Sequence, residues 1–267
     1  KIGHGGTLDP NAEGVLPIAI NKTTKLIQFV NSDSKKYIFK IKWREQTSTD
    51  DAEGEVLNYS EKIPNEVEIS KIIYSFLGYV SQVPPKASAV KVNGKRAYSI
   101  LRQQKNFILK PKKVYLKKFL FLGSVNDTSE FLIECGKGYY VRSLARDIAL
   151  KLGTFGHVIE LKRTKVGNFI DKGSILLDDL LKIGQSEFEF NYIHSSTSML
   201  DDILAYEVKE KKDLINLSLG KSIFINDKLI NKPLNSDKKE LVFLSHKGSV
   251  VSFGKLSGDL FQPNKVL

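Results

Sequence analysis

A chain of 267 residues with 41% hydrophobic and 27% charged residues has the composition of a soluble globular protein, long enough for one large domain or two. Its single cysteine, Cys135, excludes an intramolecular disulfide and a cysteine-based zinc site; the four histidines show no metal-ligand spacing, and no stretch reaches the ~20 apolar residues of a membrane span. The net charge of +11 favours a polyanionic partner, and residues 201–267 hold 11 Lys and 9 Asp plus Glu with no Arg, so most of the excess lies in the first 200 residues.

The chain opens on KIGHGGTLDPNAEGVLPIAI, a glycine-rich stretch with one acid, Asp9, fixed by Pro10 and followed by a predicted buried strand over Val15–Ile20. Lys36–Arg44 alternates, with Tyr37, Phe39, Ile41 and Trp43 on one face, and predicts a strand. Gln46–Gly54 is polar and reads as a loop. Ile69–Leu77 is a short amphipathic helix stopped by Gly78. Ala87–Val92 is expected to be a strand running into an Asn93-Gly94 hairpin, with Ala97–Gln104 helical behind it. Val114–Leu122 and Glu130–Gly136 are expected to pair antiparallel about a Ser124–Ser129 turn. Arg142–Leu152 is a helix closed by Gly153, and Phe155–Phe169 returns as strand. Ser195–Ser198 reads as a linker. Beyond Met199 come short strands with turns at Asn226-Asp227, Asn235–Lys238 and Lys247-Gly248, a small β-rich appendage of barrel character. The sum is an α+β protein, a mainly antiparallel mixed sheet with helices on its faces.

Chemistry concentrates at Asp9. An isolated Asp-Pro is an ordinary turn, but a lone carboxylate without metal-ligand neighbours is also what covalent or acid–base work on an organic substrate requires. The string around it resembles the signature of the TruB family of tRNA pseudouridine synthases, GH-x-G-x-LDP-x-A-x-G-x-LP-I, at His4, Gly6, Leu8, Asp9, Pro10, Ala12, Gly14, Leu16, Pro17 and Ile18. The resemblance implies the pseudouridine synthase fold with a C-terminal PUA-like RNA-binding domain, divided as residues 1–195 and 199–267. It makes Asp9 the catalytic aspartate, by attack on ribose or base or by deprotonating the sugar. Tyr37, in Lys35-Lys36-Tyr37, becomes the tyrosine that stacks on the target base and a candidate proton acceptor at C5. Arg142, in Gly136-Lys-Gly-Tyr-Tyr-Val-Arg-Ser143, becomes the arginine paired with the aspartate, where a fixed guanidinium keeps a carboxylate ionised and oriented.

By the same resemblance Tyr140 lies by the pocket, Leu161 lines it and keeps water out, His4 contacts RNA and holds the flipped base, and Asp51 is an acid near the site. Pro84-Pro85-Lys-Ala-Ser-Ala-Val-Lys91 resembles a family PP-x-[YF]-SA-x-K segment, with Ala87 where an aromatic is usual. Lys91, Lys95, Arg96, Arg102, Lys110, Lys112 and Lys113 are candidate phosphate contacts. The implied partner is the T-arm stem-loop of tRNA, with a flipped uridine. No cofactor, metal, membrane or protein partner is expected, and the reading is of a cytoplasmic monomer that begins almost on its first motif, lacking a family N-terminal segment. A synthase directed by guide RNA and a catalytically silent RNA-binding or RNA-folding protein are the alternatives.

Overall fold

The structure is a computed structural model that describes residues 1–27, 34–183, 192–200, 203–225, 229–231 and 241–267. The predicted turns at Asn226-Asp227 and Asn235–Lys238 lie outside the described residues. The chain forms two compact units. One comprises Leu8–Val15 and Ser32–Val166; the other comprises Lys1–Thr7, Leu16–Asn31 and Gly167–Leu267.

The first unit is built on the Lys35–Trp43 strand, whose alternation does what its sequence predicts: Tyr37, Phe39, Ile41 and Trp43 are buried on one face. Thr128–Cys135 pairs antiparallel on one side of it and Gly156–Val166 on the other. Lys112–Val125 follows outside Thr128–Cys135 and Gly78–Gln82 outside that. The long hairpin turns at Asn126, a residue type that tolerates its φ of 53°. Against the buried face lies the Val141–Lys151 helix, which contributes Val141, Leu144, Ala145 and Ile148 to the core. The Glu66–Ile72 helix begins in a capping box, Asn65 and Glu68 each bonding the other's backbone N–H at 2.9 Å.

Phe131 sits at the centre of this core, with ring centroids 5.4 Å from Phe39 and 5.6 Å from both Phe119 and Phe121. Beside it the Trp43 indole N–H donates to Ser129 Oγ at 2.7 Å, so the largest buried ring leaves no unpaired donor. Phe131→Ala is expected to cost about 3–5 kcal/mol, since four rings cannot all collapse into the space. Urea unfolding of the two proteins measures it; a loss near that of a surface substitution would contradict the central placement.

In the second unit Ile2–His4 pairs antiparallel with Ile18–Ile20. A further sheet runs in the order Ile223–Phe224, Leu260–Val266, Ser249–Ser257, Val242–His246, Leu204–Glu207, Leu229–Asn231. Its cores gather Ala19, Leu26, Leu200, Phe243 and Phe253 in one cluster, and Val208, Leu217, Ile223, Leu244 and Phe261 in the other.

Several predicted elements are corrected. Val15–Ile20 is not one strand: only Ile18–Ile20 is, and Ala12–Gly14 forms a separate strand before it. Val15 spends its N–H on the Arg163 carbonyl, Pro17 has no N–H, and the chain passes from one unit to the other after Val15. Gln46–Gly54 is not all loop, because Glu45–Thr47 pairs with Val56–Tyr59. Ala87–Val92 is strand only at Lys91–Val92; the carbonyls of Ser88, Ala89 and Val90 are taken by Tyr98 N, Arg96 Nη1 and Ala97 N instead of a ladder. The Ser195–Ser198 stretch, read as a linker, runs into a 3-10 turn over Ser196–Met199 without contradicting that reading. The C-terminal sheet is open, with different strands at its two edges, so no closed barrel forms among the described residues.

Candidate active site

The Val141–Lys151 helix sets Arg142 in its first turn, where the macrodipole disfavours a cation. The entry is fixed by Gln82, whose side-chain amide donates to the Tyr140 carbonyl at 3.0 Å and accepts the Tyr140 N–H at 2.9 Å. Arg142 is then spread over three loops. Its Nη2 donates to Asp9 Oδ1 at 2.7 Å and to the Ala87 carbonyl at 3.1 Å. Its Nη1 donates to Asp51 Oδ2 at 2.9 Å and to the Thr49 carbonyl at 3.2 Å. Arg142 is buried, as a planar guanidinium can be when both terminal nitrogens have two acceptors each. The Ala87 contact uses backbone alone, so the missing aromatic side chain does not remove it.

Asp51 is itself held: its Oδ1 accepts from Thr49 Oγ1 at 2.5 Å and from Glu53 N at 3.1 Å, and its backbone bridges to Val158. One residue earlier, Asp50 takes a left-handed φ of 61° and pairs with Arg146, four residues along the helix from Arg142, at 2.7 Å. Arg146 also donates to the Val83 carbonyl at 2.8 Å. Two arginines on one helix edge thus clamp two successive aspartates, and the Asp51 carboxylate faces the same cation as Asp9.

Asp9 reaches this point by sheet register. Ala12–Gly14 pairs parallel with Leu161–Arg163, and Leu161–Arg163 pairs antiparallel with Tyr37–Phe39. The Asp9 loop therefore opens over the paired strands that carry Tyr37 and Leu161. Asp9, Asp51, Arg142 and Leu161 line one open cleft with Asn11, Val158 and Ile159. Burial pushes the Asp9 carboxyl above its ordinary range, Arg142 pulls it down, and the nearby Asp51 charge pushes it up again. Tyr37 is buried, and its phenol is pushed up to about 12 by burial, although the Arg163 charge works the other way. Tyr140 is raised as well, chiefly by burial.

Of the residues singled out by sequence, Asp9, Asp51, Arg142 and Leu161 come together at one cleft, and Tyr37 lies within reach of the Asp9 charge. Tyr140 caps the helix that carries Arg142. Lys91 is exposed on the Lys91–Arg96 hairpin, outside the cleft lining. His4 is exposed in the other unit, opposite Ile18. Gln82, Thr49, Asp50, Arg146 and Arg163 were not singled out. The signal for Arg163 is a charge at an inward strand position, but register shifts at Val158/Glu160 and Arg163/Lys165 break the alternation that would have exposed it.

The mainly antiparallel sheet with flanking helices, a small β-rich C-terminal part and an arginine-held carboxylate define a pseudouridine synthase fold. A chain in the crystal structure of a Cbf5–Nop10–Gar1 complex superposes with a TM-score of 0.72 at 22% identity, over 100% of this chain and 76% of that one. A chain in the structure of an H/ACA RNP bound to a substrate RNA containing 2'-deoxyuridine gives 0.71 at 20%, with the same coverage. The chain belongs to the TruB family: residues 1–141 match the TruB family pseudouridylate synthase N-terminal domain, and residues 142–205 match the tRNA pseudouridylate synthase B C-terminal domain. Relatives named tRNA pseudouridine synthase B include one from Ehrlichia ruminantium, 36% identical over 100% of this chain and 89% of its own length. Another, from Rickettsia bellii, is 37% identical over 100% and 88%. The chain is accordingly an isomerase that converts uridine of tRNA to pseudouridine.

Proposed function

We propose that this isomerase acts on a uridine in the T-loop of the tRNA T-arm, flipped out of the RNA into the cleft at Asp9. The reaction breaks the bond from N1 to the ribose and remakes it at C5, releasing the C5 proton. Asp9 is the carboxylate that attacks or stabilises the separated fragment. Arg142 keeps Asp9 ionised and aimed, with Asp51 steadying the arginine from its far side. Leu161 supplies an apolar wall that excludes water. Tyr37 contacts the base through its ring. With its phenol near 12 it holds its proton at neutral pH, so proton acceptance from C5 would require a phenolate stabilised by Arg163. Tyr140 and His4 are assigned to substrate binding. The observation that carries this assignment is the 2.7 Å pair between Asp9 and a buried arginine at an open cleft.

Residues 1–195 form the catalytic part and 199–267 a PUA-like RNA-binding part. The enzyme works in the cytoplasm as a monomer, needs no cofactor or protein partner, and has no helix long and apolar enough to cross a membrane among its described residues. The test is tritium release from tRNA labelled at uridine C5: release by the wild type and none by Asp9→Asn is expected, whereas tRNA binding without release by the wild type would favour a silent RNA binder.

The exposed Lys91, Lys95 and Arg96 of the hairpin are proposed phosphate contacts. Affinity for tRNA should fall steeply with salt, and changing the three residues to Ala should flatten the log–log slope by about 2–3, since each phosphate contact accounts for roughly 0.7–0.9. Filter binding across salt concentrations reads this directly; an unchanged slope removes the hairpin from the interface.

A further inference from the structure

We infer that Arg163 is a positioning residue of the active site, a single buried guanidinium anchored to the end of the Asp9 loop and set beside Tyr37. The inference rests on Asp9 and Tyr37 acting at the target base, as proposed above. Arg163 is 1% exposed, among the largest fully buried side chains of the chain. Burying an arginine is costly unless each of its donors is matched. One match is Nε, which donates to the Val15 carbonyl at 2.8 Å. Beside it stands Tyr37, whose phenolate the buried charge favours against the upward push of burial.

The backbone makes this pairing a consequence of register. Arg163 and Tyr37 are direct cross-strand partners in an antiparallel pair, so their side chains leave the sheet on the same face. On its other edge Arg163 faces Gly14 in the parallel pair, and its carbonyl accepts the Val15 N–H at 2.8 Å. The approach at Gly14 is so close that a Cβ there would stand 2.2 Å from the Arg163 carbonyl oxygen. Arg163 therefore grips the strand that follows Asp9 by backbone and side chain together, while its side chain shares a sheet face with Tyr37.

The chemistry of guanidinium gives the grip a direction. It donates only and stays charged. A cation beside the Tyr37 phenol favours an orientation with the oxygen, not the O–H, toward Arg163. The charge also reaches Asp9, where it opposes the upward push of burial. A lysine would preserve the charge but offers no planar fork able to hold Val15 while facing Tyr37.

The experiment uses the full chain and C5-tritiated tRNA, with single-turnover rates and tRNA affinity measured separately. Arg163→Lys and Tyr37→Phe are each expected to slow the rate by about tenfold or more with tRNA affinity changed by less than about twofold. In the double variant the two losses should fall well short of multiplying, because the two side chains are cross-strand neighbours that act on the same arrangement. Multiplying losses, or rate and affinity falling together, would overturn the inference and leave Arg163 a core residue only. If Arg163→Lys does not fold, Tyr37→Phe still decides: an unchanged rate overturns the inference. Asp9→Asn run alongside separates the two levels, since tritium release by that variant would sink the proposed function itself, while its silence beside a fully active Arg163→Lys would sink only the role of Arg163.

Discussion

Asp9→Asn should abolish tritium release from C5-labelled tRNA, by about a thousandfold or more, while tRNA still binds. The substitution keeps shape and a hydrogen-bonding oxygen but removes the charge that Arg142 pairs with at 2.7 Å. Asp51 remains on the other side of the guanidinium, so the arginine keeps a counter-charge and the fold should hold. The same carboxyl should also set the acid limb of the pH–rate profile. Burial and the Asp51 charge raise it above the ordinary carboxylate range despite Arg142. In the proposed mechanism the ionised form is the working form, so activity should fall on acidification at a pH above that of a free aspartate. A rate that follows an unshifted carboxylate, or an Asp9→Asn variant that still releases tritium, would move the chemistry to another residue.

Gly14→Ala should damage stability and activity together. Gly14 has φ of 103°, a region that L side chains avoid, and a Cβ there would meet the Arg163 carbonyl oxygen at 2.2 Å, its carbon at 2.9 Å and its nitrogen at 3.0 Å. These are backbone atoms of a strand paired on its other side, so they cannot give way as a side chain would. A loss of about 3 kcal/mol or more is expected from strain and steric overlap combined. Relief by moving the Ala12–Gly14 strand off its neighbour would carry the Asp9 loop with it, and a displacement of about 1 Å at a reacting group can cost on the order of a hundredfold in rate. Gly153→Ala is the control: its φ of 71° is also left-handed, but nothing lies within 4 Å of the added carbon. It should lose about 1 kcal/mol from backbone strain and keep its activity. Urea unfolding and tritium release on both variants make the comparison, and equal behaviour would show that the strand contact at Gly14 is soft.

How much of this was legible beforehand differs by element. The Lys35–Trp43 strand, the Val141–Lys151 helix and the long hairpin follow from local periodicity, because one buried face imposes a repeat that the sequence carries in itself. Short elements with competing partners did not follow. Val15–Ile20 has the apolar run of a strand, yet its hydrogen bonds go to Arg163 and to the Gly5 amide, which are remote or unpatterned in sequence. The Ala87–Val90 segment fails as strand for the same reason, its carbonyls being claimed by Arg142, Tyr98, Arg96 and Ala97.

Within the site the division is similar. The sequence alone determined the chemistry, an acid in a shaped loop, a tyrosine heading an alternating strand and an arginine opening a helix, because residue type and local backbone preference are properties of short segments. Only the tertiary structure decided which groups share one cation. The meeting of Asp9, Asp51 and Arg142 depends on parallel register at Leu161–Arg163 and on a helix entry held by Gln82. The burial of Arg163 between Val15 and Tyr37 depends on two neighbouring strands at once. Hydrogen bonds and ion pairs are satisfied by proximity in space, and no local pattern encodes which distant strand will supply the partner.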